Sequence, residues 1–453
     1  MNGQRPAVAI VGAGSAGTTA AWRLHSLFEG DVDLTVFERG PHVGGRAWDV
    51  PFAGTRVEVG GTVLHSTGKH TMAMMEFTGA KPAASSLSID GKNETYAFWT
   101  SAGFPIFTRT SLAAMALAIV RHVGPSSALK VTGSARQLAE RWSRVYVLQS
   151  AGEVYTTPEE LLGALDLARE TTVSMREHLL SQGVSERMVT DVVEAIVHNM
   201  YNQGAEICAL AGEVGLAGAG LAGGYLFAVE GGNWTLFDKV LKKIGADVRL
   251  GTAVTRVEGR TVAGAAPRYR LSTTAGDAGD FDAVVIAAPF ALSGLKLCMD
   301  DLPLTYPVHQ YQEVHTTLVA GELSGEFFGL KPGRKLPSTV FVADSAGAPF
   351  KSVGVTGFSP VHQSRIYKVF SADKAVDPAV LRKLFPRIHE VYRFVWPGAY
   401  PRLTPRIAHL PFVLQPGLFY ACAFETAAAA IEVEAVGGFN AGTLAARHLD
   451  HAR

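Results

Sequence analysis

The hydrophobic pattern opens with two short apolar runs, Ala7–Val11 and Val32–Phe37, separated by an alanine-rich stretch that reaches Leu27. Runs this short, bounded by breaks, read as buried strands, and the stretch between them reads as a helix. Thr95–Trp99 and Gly103–Phe107 read as a hairpin turning at Ser101-Ala102. The windows 127–150, 157–181 and 185–201 carry apolar residues at helical spacing, and Leu112–Val120 is an apolar helix followed by Arg121, His122 and Lys130. Thr157-Pro158-Glu159-Glu160 is a helix start, with a capping hydroxyl, proline in the first position and acids in the first turn. A helix ending at Ile244 follows Gly231-Gly232-Asn233. Val248–Leu250, Val254–Val257, Tyr269–Ser272 and Phe281–Ala287 are strands, the last stopped by Pro289. Thr316–Leu323, Ser338–Val342 and Arg365–Phe370 predict a second sheet within 310–372. Proline and aromatic residues crowd 386–412, which reads mostly as loops. Leu418–Ala423 is a last strand, and a helix runs from about Ile431 to His448.

The first break carries the chemistry. Gly12-Ala13-Gly14-Ser15-Ala16-Gly17 joins strand to helix, and Glu38 closes the next strand. Gly12 permits a tight turn, Gly14 leaves room for a pyrophosphate, and Gly17 lets the helix approach the strand. The helix then aims free N–H groups and its positive end at the phosphates. Ser15 and Ala16 sit in that first turn. Glu38 is placed to accept from the adenosine ribose hydroxyls and to repel the extra phosphate of NADP. Arg39 follows it, and Gly44-Gly45-Arg46 lays a second turn against the dinucleotide, with Arg46 within reach of a phosphate. Gly60-Gly61-Thr62 brings the chain toward the ribityl and flavin end. Together these segments resemble the FAD-binding pattern of the amine oxidase and phytoene desaturase superfamily.

Composition narrows the class. A chain of 453 residues exceeds one growing core, so two intimately linked parts are expected. The expected fold is α/β: a discontinuous Rossmann-like FAD-binding domain of the glutathione-reductase type over 1–75, 225–300 and 412–453. A mixed-sheet and helical substrate domain takes 76–224 and 301–411. With 47% apolar residues, 18% charged residues and zero formal net charge, nothing points to a nucleic-acid surface. Cys208, Cys298 and Cys422 lack metal or disulfide spacing and read as buried thiols in a reducing compartment. No metal site is expected.

The interior stretches are more specific. Gly60–His65, Asn199–Gln203, Ala228–Trp234, Tyr311–Glu322, Tyr367–Ser371, Trp396–Pro401 and Phe424-Glu425 resemble the prenylcysteine oxidase (farnesylcysteine lyase) family. The resemblance implies non-covalent FAD and cleavage of the thioether of farnesyl- or geranylgeranyl-cysteine. Hydride goes from the prenyl C1 to flavin N5, water traps the cation, and O2 is the implied acceptor, giving an aldehyde, cysteine and hydrogen peroxide. A small hydrophobic thioether is then the substrate, and the 112–120 helix and the aromatics of 386–412 supply a greasy channel.

The animal members carry a secretory leader and act in the lysosome. A strand beginning at Ala7 leaves no room for one, so a cytoplasmic location is expected, with peripheral membrane contact through the 112–120 helix as a second reading. The abundance of alanine and glycine suggests a bacterial relative, in which the thioether class holds while prenylcysteine itself is open. The oligomeric state is open too.

His65, Asn202 and Gln203 are the catalytic candidates: His65 to activate water or orient substrate, the amides to hold its polar head, beside Asn199. Each has a structural alternative, a backbone hydrogen bond or a helix cap. Val254, Glu425, Glu432 and Val433 are placed at the cofactor, although acids at 432 and 434 also suit a helix start. Two other functions compete: an amine oxidase or carotenoid or isoprenoid desaturase sharing the clamp, and a flavin-binding scaffold without catalysis.

Overall fold

The computed structural model describes residues 5–83, 95–107, 112–260, 268–300, 302–331, 333–334 and 336–451. Ala7–Val11 lies at the centre of a six-stranded sheet, between Asp33–Phe37 on one side and Ala283–Ile286 on the other, all parallel. Asp247–Arg249 extends the sheet beyond Asp33–Phe37, and Leu418–Tyr420 then Val413–Gln415 extend it beyond Ala283–Ile286. Strands from three distant stretches of chain thus share one sheet. Val8, Ala9 and Ile10 are completely buried in it. A strand covered on both faces has no reason to alternate, which is why this one reads as a continuous apolar run.

Ser15–Leu27 and the C-terminal helix Ile431–His451 pack against each other beneath this sheet. Their contact depends on small residues: a Cβ on Gly442 would stand 2.9 Å from the Ala20 carbonyl oxygen, and one on Gly438 would collide with that of Ala16. A five-stranded sheet of 254–304 lies alongside.

A second, seven-stranded sheet runs in the order Arg387–Pro401, Tyr311–Glu322, Ser364–Ala372, Ser352–Ser359, Thr339–Val342, Tyr96–Thr100, Gly103–Phe107. The last two form the hairpin expected from the sequence. The first corrects an expectation: residues 387–401 are a long strand, not loops. This strand is at the edge of the sheet and pairs with Tyr311–Glu322 alone, so Pro397 needs no second partner for its missing N–H. Its outward side chains are exposed, which removes the apolar signal that marks a central strand.

The helical layer also differs in detail. Pro158–Ala164 carries the complete capping box at Thr157 and Glu160, but the 157–181 window holds two short helices, the second capped by Ser174 and Glu177. Asp166, with φ of 65°, and a 3-10 turn at Arg169–Thr171 separate them. The 185–201 window is interrupted by a π-turn at Val189–Val193. The last inner strand stops at Tyr420, opposite the end of its partner at Ile286, and Ala421–Phe424 turns instead. Among the described residues no helix is long and apolar enough to cross a membrane.

Candidate active site

A single cleft of about 2460 Å³ joins the two sheets and the helical layer. Drug-sized ligands occupy pockets of roughly 300–1,000 Å³, so this one has room for a large cofactor and a second molecule. Its first part is made mostly of backbone. Gly12, Gly14, Ser15, Ala16, Glu38, Arg39, Gly44, Gly45, Arg46, Gly60, Gly61, Thr62 and Val254 all line it. Gly12 has φ of +109°, and a Cβ there would stand 2.5 Å from the Ala287 carbonyl oxygen. Gly17 does not line the cleft; a Cβ on it would strike the Gly12 carbonyl, so it sets the approach of helix to turn. Gly14 and Gly45 face each other, a Cβ on Gly45 lying 3.2 Å from Gly14 Cα.

These residues fit a dinucleotide. The helix Ser15–Leu27 has glycine at its N-cap and no side-chain cap, so its first N–H groups are left for an anion. Ser15 Oγ donates to Ile431 O at 2.7 Å, bringing the start of the C-terminal helix to the same end of the cleft. Glu38 accepts from Ala13 N at 3.0 Å and Gly40 N at 2.7 Å, which fixes its carboxylate at the rim. Arg39 donates to Leu292 O at 2.5 Å.

Arg46 is held by Glu425 and donates to Ala399 O at 3.0 Å. Burial opposes its charge, but Glu425 and Glu434 more than offset this and raise its pKa. Tyr311 donates to the other oxygen of Glu425 at 2.9 Å. Glu425 is fully buried and stands behind Arg46 rather than on the cleft wall, which corrects its placement at the cofactor. Glu432 is corrected in the same way: it accepts from His70 N at 2.8 Å and Thr71 N at 3.0 Å, capping the helix Lys69–Thr78. Val433 faces the core.

The second part of the cleft is apolar. Phe98, Ile119, Val120, Met188, Val192 and Ile196 form its walls, drawn from the seven-stranded sheet and four helical segments. Asn199 and Asn202 are the amides that line it. Asn202 adopts φ of 54° at the helix end, its carbonyl accepts from Gln312 Nε2 at 2.8 Å, and its Oδ1 is buried without a partner. Gln203 is spent on structure: Nε2 donates to Pro401 O at 2.9 Å and Oε1 accepts from Leu403 N at 3.1 Å. His65 lies outside the lining, its Nδ1 2.7 Å from Thr67 Oγ1, and burial lowers its pKa. Neither lines the cleft: Gln203 is buried against the end of the strand Arg387–Pro401, and His65 is held on Thr67.

Where the two parts meet, the structure adds groups that the sequence reading missed. Lys368 Nζ donates to Thr62 Oγ1 at 2.7 Å and Glu58 O at 3.1 Å and lines the cleft. Burial lowers its pKa to about 8 against the pull of Glu58. Glu58 accepts from Asn233 N at 2.8 Å, and burial raises its pKa to about 7. Nothing local in the sequence marks this pair, which lies more than 300 residues apart along the chain. Two groups of three potential metal ligands occur among the described residues, Glu194–His198–Asp344 and Cys422–Glu425–Glu434. Each already holds a cation of the chain, Lys351 at Asp344 and Arg46 at Glu425.

The model of the prenylcysteine lyase family matches residues 115–453, three quarters of the chain. The chain belongs to the prenylcysteine lyase family. A Rossmann-like NAD(P)-binding model matches residues 10–77, the clamp itself. Among relatives of this family, farnesylcysteine lyase of Arabidopsis thaliana is 28% identical over 96% of this chain and 87% of its own. Human prenylcysteine oxidase 1 is 27% identical over 97% and 88%. In fold the chain is similar to cyclohexylamine oxidase from Brevibacterium oxydans, with a TM-score of 0.63 at 15% identity over 98% of this chain and all of that one. Putrescine oxidase bound to putrescine gives 0.61 at 16% identity over 98% and 99%.

Proposed function

We propose that the protein is an FAD-dependent oxidase that cleaves the thioether of a prenyl-cysteine, farnesyl- or geranylgeranyl-cysteine. The observation that carries this reading is the continuity of one cleft from the clamp into the apolar chamber. Gly12, Gly14, Gly45 and Arg46 would hold the dinucleotide's phosphates, and Glu38 would take its ribose. When bound, FAD supplies a two-electron acceptor for hydride from the prenyl carbon attached to sulfur. That carbon is both allylic and next to sulfur, so positive charge there is doubly stabilised. Water adds to it, the carbon–sulfur bond breaks, and the proton leaves with the cysteine thiol. The products are an aldehyde and cysteine, and O2 takes the two electrons to give hydrogen peroxide.

The chain's own contributions are positional. Ile119, Val192 and Ile196 bury the isoprenoid and exclude water from it, while Asn199 and Asn202 stand ready for the amino-acid head. Lys368, fixed on Glu58 O and Thr62, places a cation at the junction. Three unpaired, buried cysteines support a reducing compartment, and the apolar helix Leu112–Val123 with its basic last turn supports contact with a membrane surface. Anaerobic mixing with farnesylcysteine tests the function: the flavin band bleaches, and farnesal appears once water has added. Bleaching by an alkylamine and not by farnesylcysteine would overturn it.

A further inference from the structure

Glu434 occupies an unusual position on the clamp side of the cleft. It lies in the first turn of the C-terminal helix, is nine-tenths buried, lines the cleft, and its Oε1 has no hydrogen-bond partner. Its neighbours come from each element packed around it. Arg46 comes from the second glycine turn, Glu425 and Cys422 from the turn after the last inner strand, and Tyr420 from the end of that strand. Tyr311 and Tyr400 stand behind, the first on Glu425 and the second facing Arg46. Arg46 is the one cation among them, and it is already held by Glu425 and the Ala399 carbonyl. Two carboxyl groups therefore share one guanidinium, and the second has only the Cys422 thiol as a hydrogen-bonding neighbour.

A dinucleotide makes this imbalance worse. Its pyrophosphate would bring two negative charges to the end of the cleft lined by Gly14, Ser15 and Arg46. An unpaired buried carboxylate facing an anion is removed most readily by taking up a proton.

We propose that Glu434 is a protonated carboxylic acid in the FAD-loaded protein, presenting an O–H to the cleft, and that retention of FAD is linked to this one proton. Burial, and then the charge of Glu425, already raise its pKa to about 8, against Arg46 and the Cys422 thiol. A bound anion raises it further. Below this range the cleft is charged correctly for FAD. Above it, loading the cofactor requires one proton to be taken from solution.

The inference rests on FAD binding and not on the thioether substrate, so its test uses no substrate. The full-length holoenzyme is dialysed to equilibrium across about pH 6 to 10, and bound flavin is read by absorbance. The Kd is expected to be flat on the acid side and to rise roughly tenfold per pH unit above about 8. Glu434→Gln, which keeps a donor and removes the charge, is expected to bind FAD with no such rise. Lys368→Met, which removes the cleft lysine that also titrates near 8, is expected to keep the wild-type slope. A flat wild-type Kd, a slope that survives Glu434→Gln, or a slope abolished by Lys368→Met would each overturn the proposal. If Glu434→Gln fails to fold, FAD binding to wild type at about pH 9 is expected to take up roughly one proton, read with an indicator dye, and no uptake would overturn the proposal.

Discussion

The clamp and the apolar chamber share one cleft but are built on opposite principles. The clamp is contiguous in sequence and made of backbone: a strand, a turn of glycines and a helix end. Its tolerances are set by atoms that cannot move aside. The chamber is made of side chains from several helices and a strand, including Phe98, Ile119, Met188 and Ile196, brought together from separate parts of the chain. Side chains repack, so the chamber is expected to yield by degrees where the clamp fails outright.

Gly17→Val is expected to break this comparison most severely. Its Cβ would meet the Gly12 carbonyl with no flexible neighbour to give way, so the purified protein should carry no flavin, read as flavin absorbance per protein. Arg46→Met should follow. It leaves Glu425 buried beside Glu434 without a cation, a loss of about 3–5 kcal/mol in chemical denaturation.

The chamber should answer more gently. Ile196→Phe overfills the apolar wall, and KM for geranylgeranylcysteine should rise roughly tenfold, with a smaller rise for the shorter farnesylcysteine. Flavin content should be unchanged. A loss of flavin instead would erase the distinction between the two regions.

Lys368 sits on the boundary, and its effect is in the pH dependence. Its folded pKa, about 8, is below the ordinary lysine value of 10.5, so the unfolded chain binds more protons between them. Wild type should therefore gain stability relative to Lys368→Met as pH rises from about 8 to 10.5, and lose it as pH falls back through 8. Denaturation midpoints across that window check the sign. The smallest effect is expected from Thr157→Ala in the helical layer. Loss of its capping box should lower stability by about 1 kcal/mol without moving KM.

The same contrast explains which features were legible before the structure. Ala7–Val11, Ser15–Leu27 and the capping box at Thr157 depend on neighbours within a few residues, and local pattern reveals them. The strand Arg387–Pro401 was hidden because it lies at a sheet edge, where Pro397 and exposed side chains are tolerated. His65 and Gln203 carry suitable chemistry, but neither lines the cleft: Thr67 engages one ring nitrogen of His65, and Pro401 and Leu403 use the polar atoms of Gln203. Lys368 looked like any lysine in a strand until Glu58 and Thr62 were folded against it.

The sequence by itself determined the clamp, the α/β class and the family, because glycine geometry and strand–turn–helix order are written in consecutive residues. Only the tertiary structure decided which acids face the cleft. Glu425, Glu432 and Glu434 lie within ten residues of one another, yet one backs Arg46, one caps a distant helix and one faces the cleft. Side-chain direction within a turn, and the partner each direction meets, separate three carboxylates that local sequence cannot tell apart.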